Sequence, residues 1–320
     1  MTKKVLAMYL LLTIGCVDIL NASNCTGLSK IGYHAQIKTK TITVDGIKVD
    51  YTLVYPPGHR PDQAFEGDVL HYYHSAFGSS EKVYGSSAMI KLYEKFLNKK
   101  NLPNPLVLSI SLGKFWMLET PRSAPLKGKV SAEFIIKVLK KIENLEEISA
   151  TEHKAIGGSM GAFNLFQIIL KDSTLYRKLA LIALPTIEEL PLSSEFTKKY
   201  LERIRKNIQF NTGKEKLSLK EKLLTRVFRS LVNHLYRSDQ DEFSKINPLH
   251  QITKSNELLL PPIILSTGEK DELGYFPANE QLALDAKEKN LPIVWKGVSD
   301  TGHQGPYPLD EIFDFLYSEF

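Results

Sequence analysis

Five residues near the middle of the chain, Gly157-Gly158-Ser159-Met160-Gly161, follow the spacing G-x-S-x-G. That spacing suits a serine on a tight turn between a strand and a helix. The backbone at such a serine is strained, and glycines two before and two after it let the strand and helix approach closely. The apolar pair Ala155-Ile156 precedes the motif, and a helical pattern from Phe163 to Leu170 follows it. Ser159 is therefore a candidate nucleophile. The N–H of Met160, in the first turn of the following helix, would face negative charge developing on an attacked carbonyl oxygen.

A serine hydroxyl is a weak nucleophile until a base takes its proton, and the base needs an acid to orient it. Around a turn of this kind the acid and the histidine follow the serine in that order. Of eight histidines, His303 alone lies beyond the last strand signals. Its setting, Thr301-Gly302-His303-Gln304-Gly305-Pro306, is a loop before a final helical pattern from Leu309 to Leu316. Asp271, 112 residues after Ser159 and 32 before His303, is the candidate acid, with Glu269, Glu272 and Asp300 competing for the role. A second N–H for the oxyanion is expected from the loop after an earlier strand, His74-Ser75-Ala76-Phe77-Gly78-Ser79, with Ala76 the candidate. His71 and His74, at that strand end, are read as structural.

The elements that must carry these residues are legible in the periodicity. Two β-rich runs, Ile37 to Val44 and Ile47 to Tyr55, flank a turn at Gly46, and alternation through Val49, Tyr51, Leu53 and Tyr55 predicts a hairpin. Short apolar runs at Val69 to Tyr73, Leu106 to Ile110, Leu179 to Leu184, Ile263 to Leu265 and Ile293 to Trp295 predict further strands. Between them lie helical patterns at Glu81 to Leu97 and through Phe134, Ile135, Val138, Leu139, Ile142 and Leu145. Alternating strands and helices give an α/β fold, a mainly parallel sheet covered on both faces. Between Pro185 and Pro248 the rhythm stops, and a helical cap inserted at 186–248 is expected. From Lys198 to Arg229 there are eleven Lys or Arg and three Asp or Glu, a net of +8 in a chain of +5. The positive charge is therefore local. It reads either as a solvated face or as a cap that attracts anionic substrates or an anionic surface.

The N-terminus has the form of an export signal. Lys3-Lys4 precede an apolar run from Val5 to Gly15, and the small residues Asn21-Ala22-Ser23 follow, so residues 1–23 are expected to be a signal peptide and 24–320 the mature domain. A secreted or periplasmic location follows. Thr13-Ile14-Gly15-Cys16 offers a weaker variant, a lipid anchor on Cys16. With Cys16 and Cys25 the only cysteines, no disulfide framework is available, and the core must carry stability alone. No H-E-x-x-H and no paired C-x-x-C points to a metal, and no phosphate-binding glycine loop follows a strand, so neither metal nor cofactor is expected. The basic helices lack the interleaved aromatics of a nucleic-acid reader.

From about Val49 onward the chain resembles the putative esterase family of α/β hydrolases. That family includes esterase D (S-formylglutathione hydrolase), feruloyl esterases, enterochelin esterases and mycolyltransferases. Tyr51-Thr52-Leu53-Val54-Tyr55-Pro56-Pro57-Gly58 is similar to its strand ending in a Pro-Pro-Gly turn. Ser159, Asp271 and His303 match its nucleophile, acid and base, and Asn247-Pro248-Leu249 is similar to the segment closing its variable insertion. Where the family has His-Gly in the oxyanion loop, this chain has His74-Ser75. The resemblance implies an α/β-hydrolase fold and acyl transfer from a small-molecule, carbohydrate or lipid ester to water. An acyltransferase, a peptidase and a non-catalytic binding protein of the same fold remain open alternatives.

Overall fold

The computed structural model describes residues 36–76, 78–81, 83, 104–120, 130–188, 202, 205–206, 209, 244–255, 257–271 and 273–318. The expected signal peptide, both cysteines and most of the 81–97 helix and of the 186–248 cap lie outside the described residues, as does Glu272.

Among the described residues, eight strands form one sheet in the order β1-β2-β4-β3-β5-β6-β7-β8. β1 (Ile37–Val44) and β2 (Ile47–Val54) make the expected antiparallel hairpin, with Val44 opposite Ile47. The two turn residues, Asp45 and Gly46, both have positive φ (48° and 79°), the conformation that matches the twist of a two-residue hairpin. β2 runs antiparallel to β4 (Leu106–Ser111), and from β4 onward every pairing is parallel. All six residues of β4 are buried, Ser109 and Ser111 included, as in a strand enclosed on both faces.

β3 (Phe65–Tyr73) and β5 (Ile148–Gly158) are each longer than their apolar runs suggest. Their leading halves carry Glu66 and Asp68, and Thr151, Glu152, His153 and Lys154, so hydrophobicity marks only the trailing half of each. These polar halves pair with each other across Gly67, Val69 and His153 and satisfy their charges locally. Lys154 Nζ, for example, lies 2.7 Å from both Asp68 and Glu152. β6 (Lys178–Ile182), β7 (Ile263–Gly268) and β8 (Ile293–Val298) complete the sheet.

Period-2 alternation sends side chains to two cores. Leu106, Leu108, Leu179, Leu181, Ile263 and Leu265 face one side, while Val107, Ala180 and Ile264 face the other. Helix α1 (Ala132–Leu145) covers the first side with Ile135, Val138, Leu139 and Ile142, and Ser131 caps its start by accepting from the N–H of Phe134 at 3.2 Å. Leu145, at helical spacing with that stripe, is instead 55% exposed, because the helix ends there and turns into β5. Helix α2 (Met160–Lys171) is buried along ten consecutive residues from Met160 to Ile169, the mark of a helix enclosed on all sides. Helices α3 (Pro248–Lys254) and α4 (Phe276–Glu288) pack together beside β7 and β8. Helix α5 (Leu309–Tyr317) covers the second side with Ile312, Phe313 and Leu316.

Two buried polar side chains tie distant parts of this frame together. Glu146 receives the ammonium groups of Lys38 and Lys40 and the hydroxyl of Tyr51, locking the β1–β2 hairpin to the end of α1. Burial alone would raise the Glu146 pKa, but these three donors outweigh it and leave the carboxyl below its usual range. Asn247 donates to the carbonyl of Ile187 at 2.7 Å, so the two ends of the inserted stretch meet.

Candidate active site

Ser159 sits at the junction of β5 and α2 with φ 50° and ψ −119°, a strained conformation for a residue with a Cβ. The strain is held from several directions. Ser159 N donates to Ile182 O on β6 at 2.8 Å, and Ser159 O accepts from Phe163 N in the first turn of α2. A Cβ on Gly157 would stand 2.6 Å from the backbone of Gly161, and one on Gly161 would stand 2.1 Å from the carbonyl oxygen of Tyr73. Only glycine fits at either place, which is the physical content of the G-x-S-x-G spacing.

His303 Nε2 lies 3.0 Å from Ser159 Oγ, and His303 Nδ1 lies 2.9 Å from Asp271 Oδ2. Asp271 is fully buried, and its other oxygen, Oδ1, accepts from the N–H of Leu273 at 2.7 Å. With Asp271 as an acceptor, Nδ1 carries the imidazole proton and Nε2 presents its lone pair to the serine hydroxyl. Tyr275 closes one side of the imidazole edge to face, with ring centroids 5.7 Å apart. The loop bearing His303 is pressed against the end of β7 at Gly268, where a Cβ would be 2.2 Å from Thr301 O, and Lys270 N donates to the same carbonyl.

Two of the competing acids, Asp300 and Glu269, fall among the described residues. Asp300 has an exposed side chain and pairs with Lys270, and Glu269 is exposed at the end of β7. Ala76 lies in the loop after β3, three residues past Tyr73, and that loop abuts the Ser159 turn. Ser75 Oγ donates to Gly158 O at 3.1 Å, and the carbonyls of Tyr73 and His74 face Gly161. The serine found after His74 thus stitches the loop to the turn. Met160 opens α2, and its sulfur accepts from the N–H of Trp116 at 3.2 Å.

Sequence reasoning missed the segment after β4. Asn164 Oδ1 accepts from Leu118 N at 2.9 Å, and Asn164 Nδ2 donates to Trp116 O at 3.1 Å, clamping residues 116–118 beside α2. A lone amide within the apolar run of α2 was the available signal. An open groove lined by Leu170, His250, Gln251 and Lys254 lies at the far end of α2, about 16 Å along the helix from Ser159 at 1.5 Å per residue, and shares none of these side chains.

No family model matches the chain, and neither does any curated protein sequence. Solved structures do match. A ferulic acid esterase superposes with a TM-score of 0.56 over 89% of this chain and 97% of its own, at 15% identity. A hyperthermophilic esterase from the archaeon Pyrobaculum calidifontis gives 0.58 over 93% and 84%, at 16% identity. An S-formylglutathione hydrolase from Agrobacterium tumefaciens gives 0.52 over 88% and 90%, at 10% identity. The chain has the α/β-hydrolase fold. In the α/β-hydrolase fold a serine elbow stands at the C-terminal edge of the sheet, as Ser159 does here at the end of β5.

His74, beneath the elbow of this hydrolase fold, is structural in its contacts. Its Nδ1 donates to the carbonyl of Ser75 at 2.8 Å, and its Nε2 accepts from the indole N–H of Trp116 at 3.2 Å, 2.9 Å from Ser111 Oγ. A proton on Nε2 would confront the indole donor, and burial pushes the His74 pKa down from 6.5 to about 4. Because the folded pKa is depressed, the unfolded chain binds the proton first. The neutral ring's contribution is present above pH 6.5 and is lost as pH falls towards 4, on the order of 3 kcal/mol across that window. Urea unfolding at pH 7, 5.5 and 4.5 should show this loss, and His74→Gln should flatten it; equal slopes would refute the assignment.

Proposed function

We propose that the chain is a serine carboxylesterase acting through an acyl-enzyme, with Ser159 as nucleophile, His303 as base and Asp271 as the orienting acid. The observation that carries this reading is the unbroken row Ser159 Oγ–His303 Nε2 and His303 Nδ1–Asp271 Oδ2, at 3.0 and 2.9 Å, on a serine of positive φ. Binding alone has no use for a strained serine hydrogen-bonded to a correctly oriented imidazole. Ser159 Oγ attacks the ester carbonyl carbon while His303 Nε2 takes the hydroxyl proton. The N–H groups of Met160 and Ala76 receive the oxyanion. Collapse of the tetrahedral species breaks the C–O bond, and His303 returns the proton to the departing alcohol. Water then attacks the acyl-serine with His303 again as base, releasing the acid and restoring Ser159. Asp271 holds the tautomer and stabilises the transient imidazolium. No cofactor enters. The names of the structural neighbours, which include a ferulic acid esterase and an S-formylglutathione hydrolase, agree with an ester or thioester as substrate class.

The same proposal places the enzyme outside the cytoplasm, supported by Lys3-Lys4, the apolar run to Gly15 and the small residues to Ser23. It assigns the basic stretch Lys198 to Arg229 to capture of anionic esters, supported by its net charge of +8 against −3 for the remainder.

Each part has its own check. Ser159→Ala should lower kcat/KM for nitrophenyl esters by about 10⁴-fold or more and abolish fluorophosphonate labelling, and Asp271→Asn should lower it about 10⁴-fold. Labelling of another serine, or full activity in Ser159→Ala, would sink the reading. Intact mass of the natural protein should show a chain beginning after Ser23, or a lipidated Cys16; a retained Met1 overturns export. For the basic stretch, kcat/KM for anionic esters should fall with added salt while that for neutral esters holds, because screening shortens to about 8 Å at physiological ionic strength. Equal salt slopes would remove the steering role and leave the triad untouched.

A further inference from the structure

One cluster of ligating side chains lies away from Ser159, on the face of the sheet covered by α1 and α2. His71 on β3 and His153 on β5 point to the same face, because His71 pairs with Ala155 and His153 is two residues before it. Their rings meet edge to face with centroids 5.2 Å apart. Glu143, on the last turn of α1, reaches over both. Its Oε1 lies 2.7 Å from His153 Nε2 and 3.9 Å from His71 Nε2, and one ligating atom from each of the three residues falls within 4.8 Å of the other two.

His71 is the informative member. It is 1% exposed, and its Nε2, directed at this cluster, is a buried nitrogen with no hydrogen-bond partner among the described residues. The separation of 3.9 Å to Glu143 is too long for a hydrogen bond. A buried polar atom left in this way loses its hydration without recompense and calls for an explanation. The other nitrogen, Nδ1, is 2.9 Å from the hydroxyl of Tyr176, which is itself 2.8 Å from the hydroxyl of Tyr73. When Nδ1 donates to that hydroxyl, Nε2 is a bare lone pair aimed at Glu143 and His153.

We propose that His71 Nε2, His153 Nε2 and Glu143 Oε1 form a binding site for a divalent transition metal of the zinc class, with water completing the coordination. Two imidazoles and one carboxylate are a donor set for zinc. A tetrahedral zinc with bonds of about 2.0–2.1 Å holds its ligands about 3.3 Å apart. The 2.7 Å contact must therefore open, and the 3.9 Å gap close, by about 0.6 Å each, within reach of side-chain rotation. Tyr176 serves as the outer partner that fixes the His71 tautomer. Glu143 and His153 keep 19% and 22% of their side-chain surface exposed, which supplies an entry path. The site is separate from the nucleophile, since Ser159 is six residues further along β5, about 20 Å at 3.3 Å per residue. Its role is to fasten β3, β5 and α1 together, and it stands independently of the proposed esterase reaction.

The test uses the full chain, stripped of metal with a chelator and titrated with ZnCl₂ by calorimetry, and with Co²⁺ by visible absorption. One equivalent of Zn²⁺ should bind, and Co²⁺ should develop the absorption of a four-coordinate ion. The thermal midpoint should rise roughly 5 °C at a hundredfold excess over Kd. Glu143→Gln and His153→Ala should each weaken binding about a hundredfold, and Tyr176→Phe about tenfold. These changes alter partly exposed groups or a single hydroxyl; should His153→Ala fail to fold, the near-isosteric Glu143→Gln carries the test alone. Absence of stoichiometric zinc binding in the wild type overturns the proposal. So does wild-type affinity in Glu143→Gln, which would place the zinc on other residues.

Discussion

The carbonyl of Tyr73 occupies the space where a side chain on Gly161 would begin. Much of the molecule follows from that contact. It allows the first turn of α2 to lie directly against the end of β3, so the helix can run beneath the sheet with ten consecutive buried residues. The same closeness compresses the β5–α2 junction until Ser159 must take a positive φ, and it sets the Ala76 loop beside the start of α2. Even a methyl group on Gly161 would have to move backbone, which a packed interior resists.

The imidazole of His303 is placed by backbone as much as by side chains. Gly268 lets the Thr301 carbonyl approach β7, and the N–H of Lys270 fastens it. Asp271 is satisfied on both oxygens, by Leu273 N–H and by His303, so it cannot turn away without stranding a buried carboxylate. A polar row of this kind gains directional strength from the low polarity around it. The elbow and the histidine loop come from separate parts of the chain, and strand pairing from β5 through β8 fixes their separation.

Much of this was legible in the sequence because the signals were local. The hairpin announced itself by a turn at Gly46 and the alternation after it, β4 by its apolar run, and the elbow by glycines whose spacing is steric. The order of Ser159, Asp271 and His303 along the chain singled out one histidine from eight, the one that the structure places 3.0 Å from Ser159 Oγ. What was not legible depended on contacts between strands. The polar leading halves of β3 and β5 carry no strand signature, since each is stabilised by the other's charges. The choice between Asp271 and Asp300 turned on which carboxylate the β7 and β8 loops direct inward, and spacing alone does not encode that. The cluster of His71, Glu143 and His153 was invisible for the same reason, its members being 10 to 82 residues apart on three elements.

The meeting of Ile187 with Asn247 divides the chain into two pieces. Everything up to β6 carries the serine elbow; everything from α3 onward carries the carboxylate and the imidazole. The pieces join along the β6–β7 ladder from Leu179 paired with Ile263 to Ile182 paired with Ser266, extended by the Ala183 N–H to the Ser266 carbonyl and by Asn279 donating to Leu184 O. A backbone break within the connecting stretch would therefore sever none of the strand pairings among the described residues, while leaving Ser159 and His303 on different polypeptides. The architecture is that of a protein suited to fragment complementation, in which reassociation of two separately supplied halves along one parallel seam would restore the hydroxyl–imidazole contact.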